Sequence, residues 1–84
     1  MTNPVAVVYT RPGCQKCRQT ERQLAKLGIT VTTELIDNYP HKIDHMQRIG
    51  GTELPLVELT VGKQTMEWTG LHDANFAAVK ELLR

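Results

Sequence analysis

Two cysteines, Cys14 and Cys17, stand three positions apart in a chain of 84 residues. A bridge between them would close a very small loop and restrain little of the unfolded chain, so stapling is a weak reason to keep them. Nor do two cysteines make the multi-bridge framework of a small secreted domain. What they can do is thiol–disulfide exchange, in which one sulfur attacks and its neighbour resolves. The thiolate alone attacks, so the surroundings of the first sulfur decide its reactivity. A second chemistry is structural zinc: His41 and His45, with three residues between them, complete a two-Cys, two-His set. The 23 residues from position 18 to position 40 exceed the 12–15 or so of a zinc finger, and they read as a helix and a strand. Both histidines also fall out of step with the apolar Ile43 and Met46, which turns them toward solvent.

The elements that must hold the cysteines can be traced along the chain. Val5 to Tyr9 is an apolar, β-branched run that reads as a strand buried on both faces. Thr10-Arg11-Pro12-Gly13 breaks it, and Gln15 to Leu27 is rich in helix formers, with Gly28 placed as a C-cap. Cys14 then falls at or just before a helix N-terminus, where unpaired amides and the helix dipole favour an anion. Cys17 lies one turn inside, on the inward stripe with Thr20, Leu24 and Leu27. Residues 11–26 carry Arg11, Lys16, Arg18, Arg22 and Lys26 against Glu21 alone, and cations close to Cys14 would favour its thiolate further.

Beyond this unit, Ile29 to Ile36 reads as a second strand, rich in Val, Ile and Thr. A turn at Asp37–Pro40 leads into a short helix with an Ile43, Met46, Ile49 stripe, closed by Gly50-Gly51. Leu56 to Leu59 is a third strand, Val61-Gly62 a hairpin tip, and Gln64 to Trp68 a fourth strand. Asp73 is positioned to N-cap a last helix whose inward face is Phe76, Val79 and Leu83. The order βαβαββα predicts an α/β domain spanning residues 1–84, with a parallel unit first and an antiparallel hairpin after it.

Composition narrows the function classes. Ten Lys and Arg against nine Asp and Glu leave a formal net charge of +1, which argues against nucleic-acid binding by bulk charge and against a polybasic membrane anchor. No apolar run approaches the roughly 18 residues of a membrane span. The first nine residues lack the charged-then-apolar pattern of a signal peptide, so the expected compartment is the cytoplasm.

The run Thr10-Arg11-Pro12-Gly13-Cys14-Gln15-Lys16-Cys17 after a Val-rich strand resembles the active site of thioredoxin-fold redoxins. The resemblance is closest to glutaredoxins and the glutaredoxin-like NrdH-redoxins. Glu53-Leu54-Pro55-Leu56-Val57 is similar to that family's cis-proline loop, and Trp68-Thr69-Gly70-Leu71 to the Trp-Ser-Gly-Phe segment of NrdH-redoxins. Together these motifs span nearly the whole chain. The resemblance implies a four-stranded mixed sheet flanked by three helices, with Cys14 as nucleophile and Cys17 as resolving thiol. It implies a partner-binding rim of Arg11, Pro12, Lys16, Leu54, Pro55, Trp68, Thr69, Gly70 and Leu71, and no cofactor beyond the cysteine pair. Implied partners are ribonucleotide reductase and thioredoxin reductase, with glutathione as the alternative donor and the chain acting as a monomer. Two features depart from the NrdH-redoxin pattern: Gln15 replaces an apolar residue, and His72-Asp73 follows Leu71 without a proline. The glutathione-binding Gly-Gly-x-Asp element of glutaredoxins keeps only its outer residues, as Gly70 and Asp73.

Overall fold

The computed structural model describes residues 3–84. Strand β1 (Val5–Thr10) leads into helix α1 (Gln15–Lys26), and strand β2 (Thr30–Leu35) follows. A 3-10 turn (Ile36–Asn38) precedes helix α2 (Pro40–Arg48). The hairpin of β3 (Leu56–Val61) and β4 (Gln64–Thr69) then gives way to helix α3 (Asp73–Leu83). The sheet order is β2-β1-β3-β4, with β1 and β2 parallel and the other neighbours antiparallel. This is the expected α/β architecture.

Pleat alternation divides the core into two layers. Ala6, Val8, Val57, Leu59 and Trp68 face one side of the sheet and pack against Leu24 of α1 and Phe76 and Val79 of α3. Tyr9, Leu56 and Val7 face the other side, where Ile36, Tyr39, Ile43 and Met46 cover them. The two layers are held differently. On the α1–α3 side the contacts are apolar, and Thr20, the one buried polar side chain among the described residues, donates its hydroxyl to the Lys16 carbonyl at 2.8 Å. On the α2 side no helical residue is buried. Instead the sheet offers carboxylates to the helix and its leading residue: Glu34 accepts from the Tyr39 hydroxyl, Glu58 from Lys42, and Glu67 meets His45 Nε2 at 2.7 Å.

Several sequence expectations need adjusting. Strand β1 is covered on both faces except at its start, where Val5 is 45% exposed. Ile49 does not complete the α2 stripe; it lies past the last helical residue and is exposed. The hairpin turn is Gly62-Lys63, one residue later than expected, since Val61 still pairs with Gln64. Gly62 supplies the positive φ, 61°, that such a two-residue turn favours at its first position. His72, in extended conformation, takes the N-cap place of α3, so Asp73 becomes a first-turn acid facing the helix dipole.

These layers respond differently to truncation. Leu24→Ala removes a fully buried side chain between α1 and the sheet and is expected to cost about 2–5 kcal/mol, whereas Ile49→Ala is expected to stay within about 0.5 kcal/mol. Urea unfolding midpoints of the two variants measure the contrast.

Candidate active site

The last residue of β1 is Thr10, and the chain must turn sharply before α1 can start. Gly13 takes φ 80°, a conformation glycine adopts without steric cost, and the Cys14 amide donates back to the Arg11 carbonyl at 3.3 Å. Cys14 is thereby placed as the N-cap of α1, as the sequence implied. Its sulfur occupies the position of a capping oxygen and accepts from the Cys17 backbone N–H at 3.2 Å. The two sulfurs are joined as a disulfide, with Cα atoms 5.3 Å apart, inside the usual range. Cys14 is half-buried, whereas Cys17 is completely inaccessible. An incoming sulfur can reach only the first.

Two further segments close around this loop. Leu54–Pro55 is a cis peptide bond, as the resemblance implied, and Pro55 is buried. The Pro55 carbonyl accepts from the Gly70 amide at 2.9 Å, which fastens the proline loop to the Trp68–Leu71 segment. Gly51 packs so closely on this segment that a Cβ there would lie 2.5 Å from the Thr69 methyl. Trp68 itself turns inward, edge-on to Phe76 in the core, with an unpartnered Nε1. Thr69 and Leu71 are half-buried and Gly70 is buried. Leu54 is half-buried against Tyr9 and its neighbours, while Pro12 is exposed.

Charge at the rim is more balanced than the sequence suggests. Arg11 reaches Asp37 on the 3-10 turn, at 3.0 Å through Nη2 and 3.1 Å through Nε. Lys16 Nζ, between the cysteines, meets Glu53 Oε2 of the proline loop at 3.0 Å. Hydrogen bonding and charge from Lys16, with a smaller pull from His72, hold the Glu53 carboxyl below its ordinary range. A Cβ on Gly70 would sit 2.9 Å from His72 Nε2 and 3.3 Å from Glu53 Oε2, so both side chains lie over that glycine. Both cations flanking Cys14 therefore have a carboxylate partner. Glu53, Asp37 and His72 all lie outside the partner-binding rim that the resemblance implies. Lys16 and Glu53 lie 37 positions apart, and only the fold brings them together.

His41 and His45 remain on α2, His41 edge-on to Tyr39 and His45 against Glu67. Among the described residues, no group of three or more His, Cys, Asp or Glu side chains could hold a metal ion.

A fully buried cysteine behind a half-buried one, on a thioredoxin-like fold in the glutaredoxin family, defines a thiol–disulfide oxidoreductase. The glutaredoxin family profile matches residues 6–60, and the chain belongs to that family. Among solved structures, the chain is similar to the glutaredoxin-like protein NrdH-redoxin from Escherichia coli, with TM-score 0.67 and 23% identity over 89% of this chain and 93% of that one. It is also similar to thioredoxin O2 from Arabidopsis thaliana in the oxidized state, with TM-score 0.62 and 18% identity over 96% of this chain and 75% of that one. Mitochondrial thioredoxin 3 from Saccharomyces cerevisiae follows, with TM-score 0.59 and 17% identity over 94% and 78%. No curated protein matches the chain by sequence. The family match ends before Trp68, so the third motif rests on the resemblance of its residues alone.

The Lys16–Glu53 pair makes a testable contribution. A carboxyl held low in the folded state adds stability above its ordinary value of 4.5, and that stability is lost as pH falls through the lowered value. From about pH 5 to about pH 3 the parent chain should lose more stability than Glu53→Gln. The difference should shrink in high salt, because both side chains are about half exposed. Urea midpoints across that pH window check both statements.

Proposed function

We propose that the protein reduces disulfides in other proteins through Cys14 and Cys17. The Cys14 thiolate attacks one sulfur of the target disulfide and forms a mixed disulfide, and the other target sulfur leaves as a thiolate and takes up a proton. Cys17 loses its proton, attacks the Cys14 sulfur, and releases the second target sulfur as a thiolate, which is also protonated. Two electrons have then passed to the target, and the protein carries the Cys14–Cys17 bridge. The observation that carries this reading is the division of access: Cys14 at the helix N-cap can meet a partner, and Cys17 behind it cannot.

The physiological target we propose is ribonucleotide reductase, with thioredoxin reductase restoring the dithiol, in the cytoplasm. Supporting it is the similarity to a glutaredoxin-like redoxin described as having a thioredoxin-like activity profile. The Trp68–Leu71 segment, similar to that of NrdH-redoxins, adds weight. The rim we assign to partners is Arg11, Pro12, Lys16, Leu54, Pro55, Thr69, Gly70 and Leu71, with Trp68 shaping it from beneath. Glutathione is the less suitable donor on electrostatic grounds. It brings two carboxylates to a rim where Arg11 and Lys16 are already engaged, and where Glu53 lies over Gly70. One missing charge-assisted contact costs about 1.5–3 kcal/mol, roughly 10–150-fold in affinity.

The oxidised protein should therefore be reduced rapidly by thioredoxin reductase with NADPH and slowly by glutathione with its reductase. Glu53→Gln should raise the glutathione-coupled rate by releasing Lys16. Fast glutathione turnover by the parent chain, with none through thioredoxin reductase, would reverse the assignment.

A further inference from the structure

Five of the ten Lys and Arg residues have a carboxylate partner: Arg11, Lys16, Lys42, Arg48 and Arg84. Among the described residues, Arg18, Arg22, Lys26, Lys63 and Lys80 have none. Four of these five stand on one layer of the molecule, three on α1 and Lys80 on α3. Arg18, Arg22 and Lys26 repeat every fourth residue, so they share one exposed face of α1, opposite the buried Cys17, Thr20 and Leu24. Like charges at this spacing destabilise a helix. The chain has nine acids that could offset them, yet five are held in ion pairs with other Lys and Arg residues, Glu67 meets His45, and Glu21, the one acid on α1, pairs with no cation among the described residues.

The face is also shaped. Gln19, Arg22, Gln23 and Lys26 line a hollow of about 240 Å³. A neighbouring hollow of about 250 Å³ is lined by Gln23, Lys26, Leu27, Phe76 and Lys80. The stripe begins one helical turn after Cys14, since the Arg18 amide makes the first i→i−4 bond of α1 to the Cys14 carbonyl.

We propose that this outer face of α1 docks an acidic polypeptide segment close in sequence to the disulfide that Cys14 attacks. The proposal rests on the oxidoreductase reading and specifies its substrate class. Helix geometry sets the spacing. Arg22 lies eight residues beyond Cys14, about 12 Å along the axis at 1.5 Å per residue. Lys26 lies about 18 Å along. An extended target strand covers roughly 3.3 Å per residue, so its acidic side chains belong about four to six residues from the attacked cysteine. A nucleic acid fits this face poorly. All four aromatic rings, Tyr9, Tyr39, Trp68 and Phe76, are buried or half-buried, leaving no exposed ring for base stacking.

The test uses pre-reduced protein in single turnover against three peptides that share one intramolecular disulfide. Five residues from the first cysteine they carry three Glu, three Gln or three Lys. At low salt the Glu peptide should react about tenfold faster than the Gln peptide, and the Lys peptide more slowly than both. The rates should converge at about 0.5 M salt. A combined Arg18→Gln, Arg22→Gln, Lys26→Gln variant should lose the advantage of the Glu peptide while keeping the parent rate on the Gln peptide, which also shows that it folds. Equal rates on the Glu and Gln peptides would overturn the docking surface. So would an acidic advantage that survives in the variant, or a single-stranded DNA oligonucleotide that displaces the Glu peptide at lower concentration. Failure to reduce even the Gln peptide would instead contradict the oxidoreductase reading.

Discussion

One hydrogen bond organises the active site: the Cys17 amide donates to the Cys14 sulfur at the start of α1. A helix begins with amides that have no partner inside it, and here a sulfur accepts the bond that a Ser or Asp oxygen usually takes. When the bridge is reduced, the same amide and the positive end of the helix face the Cys14 sulfur, where negative charge is stabilised. The geometry depends on Gly13, whose positive φ turns the chain between β1 and α1. It also fixes the roles of the two sulfurs. The residue that caps the helix is reachable, and the residue one turn inside shares the buried stripe with Thr20 and Leu24.

Charge is partitioned over the molecule in a way that the net value of +1 conceals. The sheet face under α2 offers Glu34, Glu58 and Glu67 to a helix that buries no side chain of its own. The rim of Cys14 is neutralised pair by pair, Arg11 with Asp37 and Lys16 with Glu53. The helices on the opposite layer keep their unpaired cations. Stabilisation of a Cys14 thiolate is thus assigned mainly to the helix N-terminus, with the neighbouring cations offset by their partners.

How much could be read from the chain follows from the range of each interaction. Strand β1, helix α1 and the placement of Cys14 at the helix start were legible because local signals agree: a β-branched run, a Pro-Gly turn, an inward stripe and Gly28 at the end. The cis bond at Pro55 came only through resemblance, since nothing local distinguishes it from an ordinary proline. Ile49 was misplaced because apolar spacing continues past the residue where the α2 helix stops. Asp73 lost the cap to His72 because an extended residue just ahead of it supplies the helix entry. The Lys16–Glu53 pair was out of reach, since a surface ion pair leaves no periodic signal and joins distant segments.

The most direct test of the central claim is timed alkylation of the reduced protein with iodoacetamide across pH, with the modified cysteine located by peptide mass spectrometry. Cys14 should react first, with an apparent pKa below the 8.5 or so of a free thiol, and Cys17 should stay protected while the protein is folded. Modification of Cys17 first, or a Cys14 that titrates like a free thiol, would contradict the account.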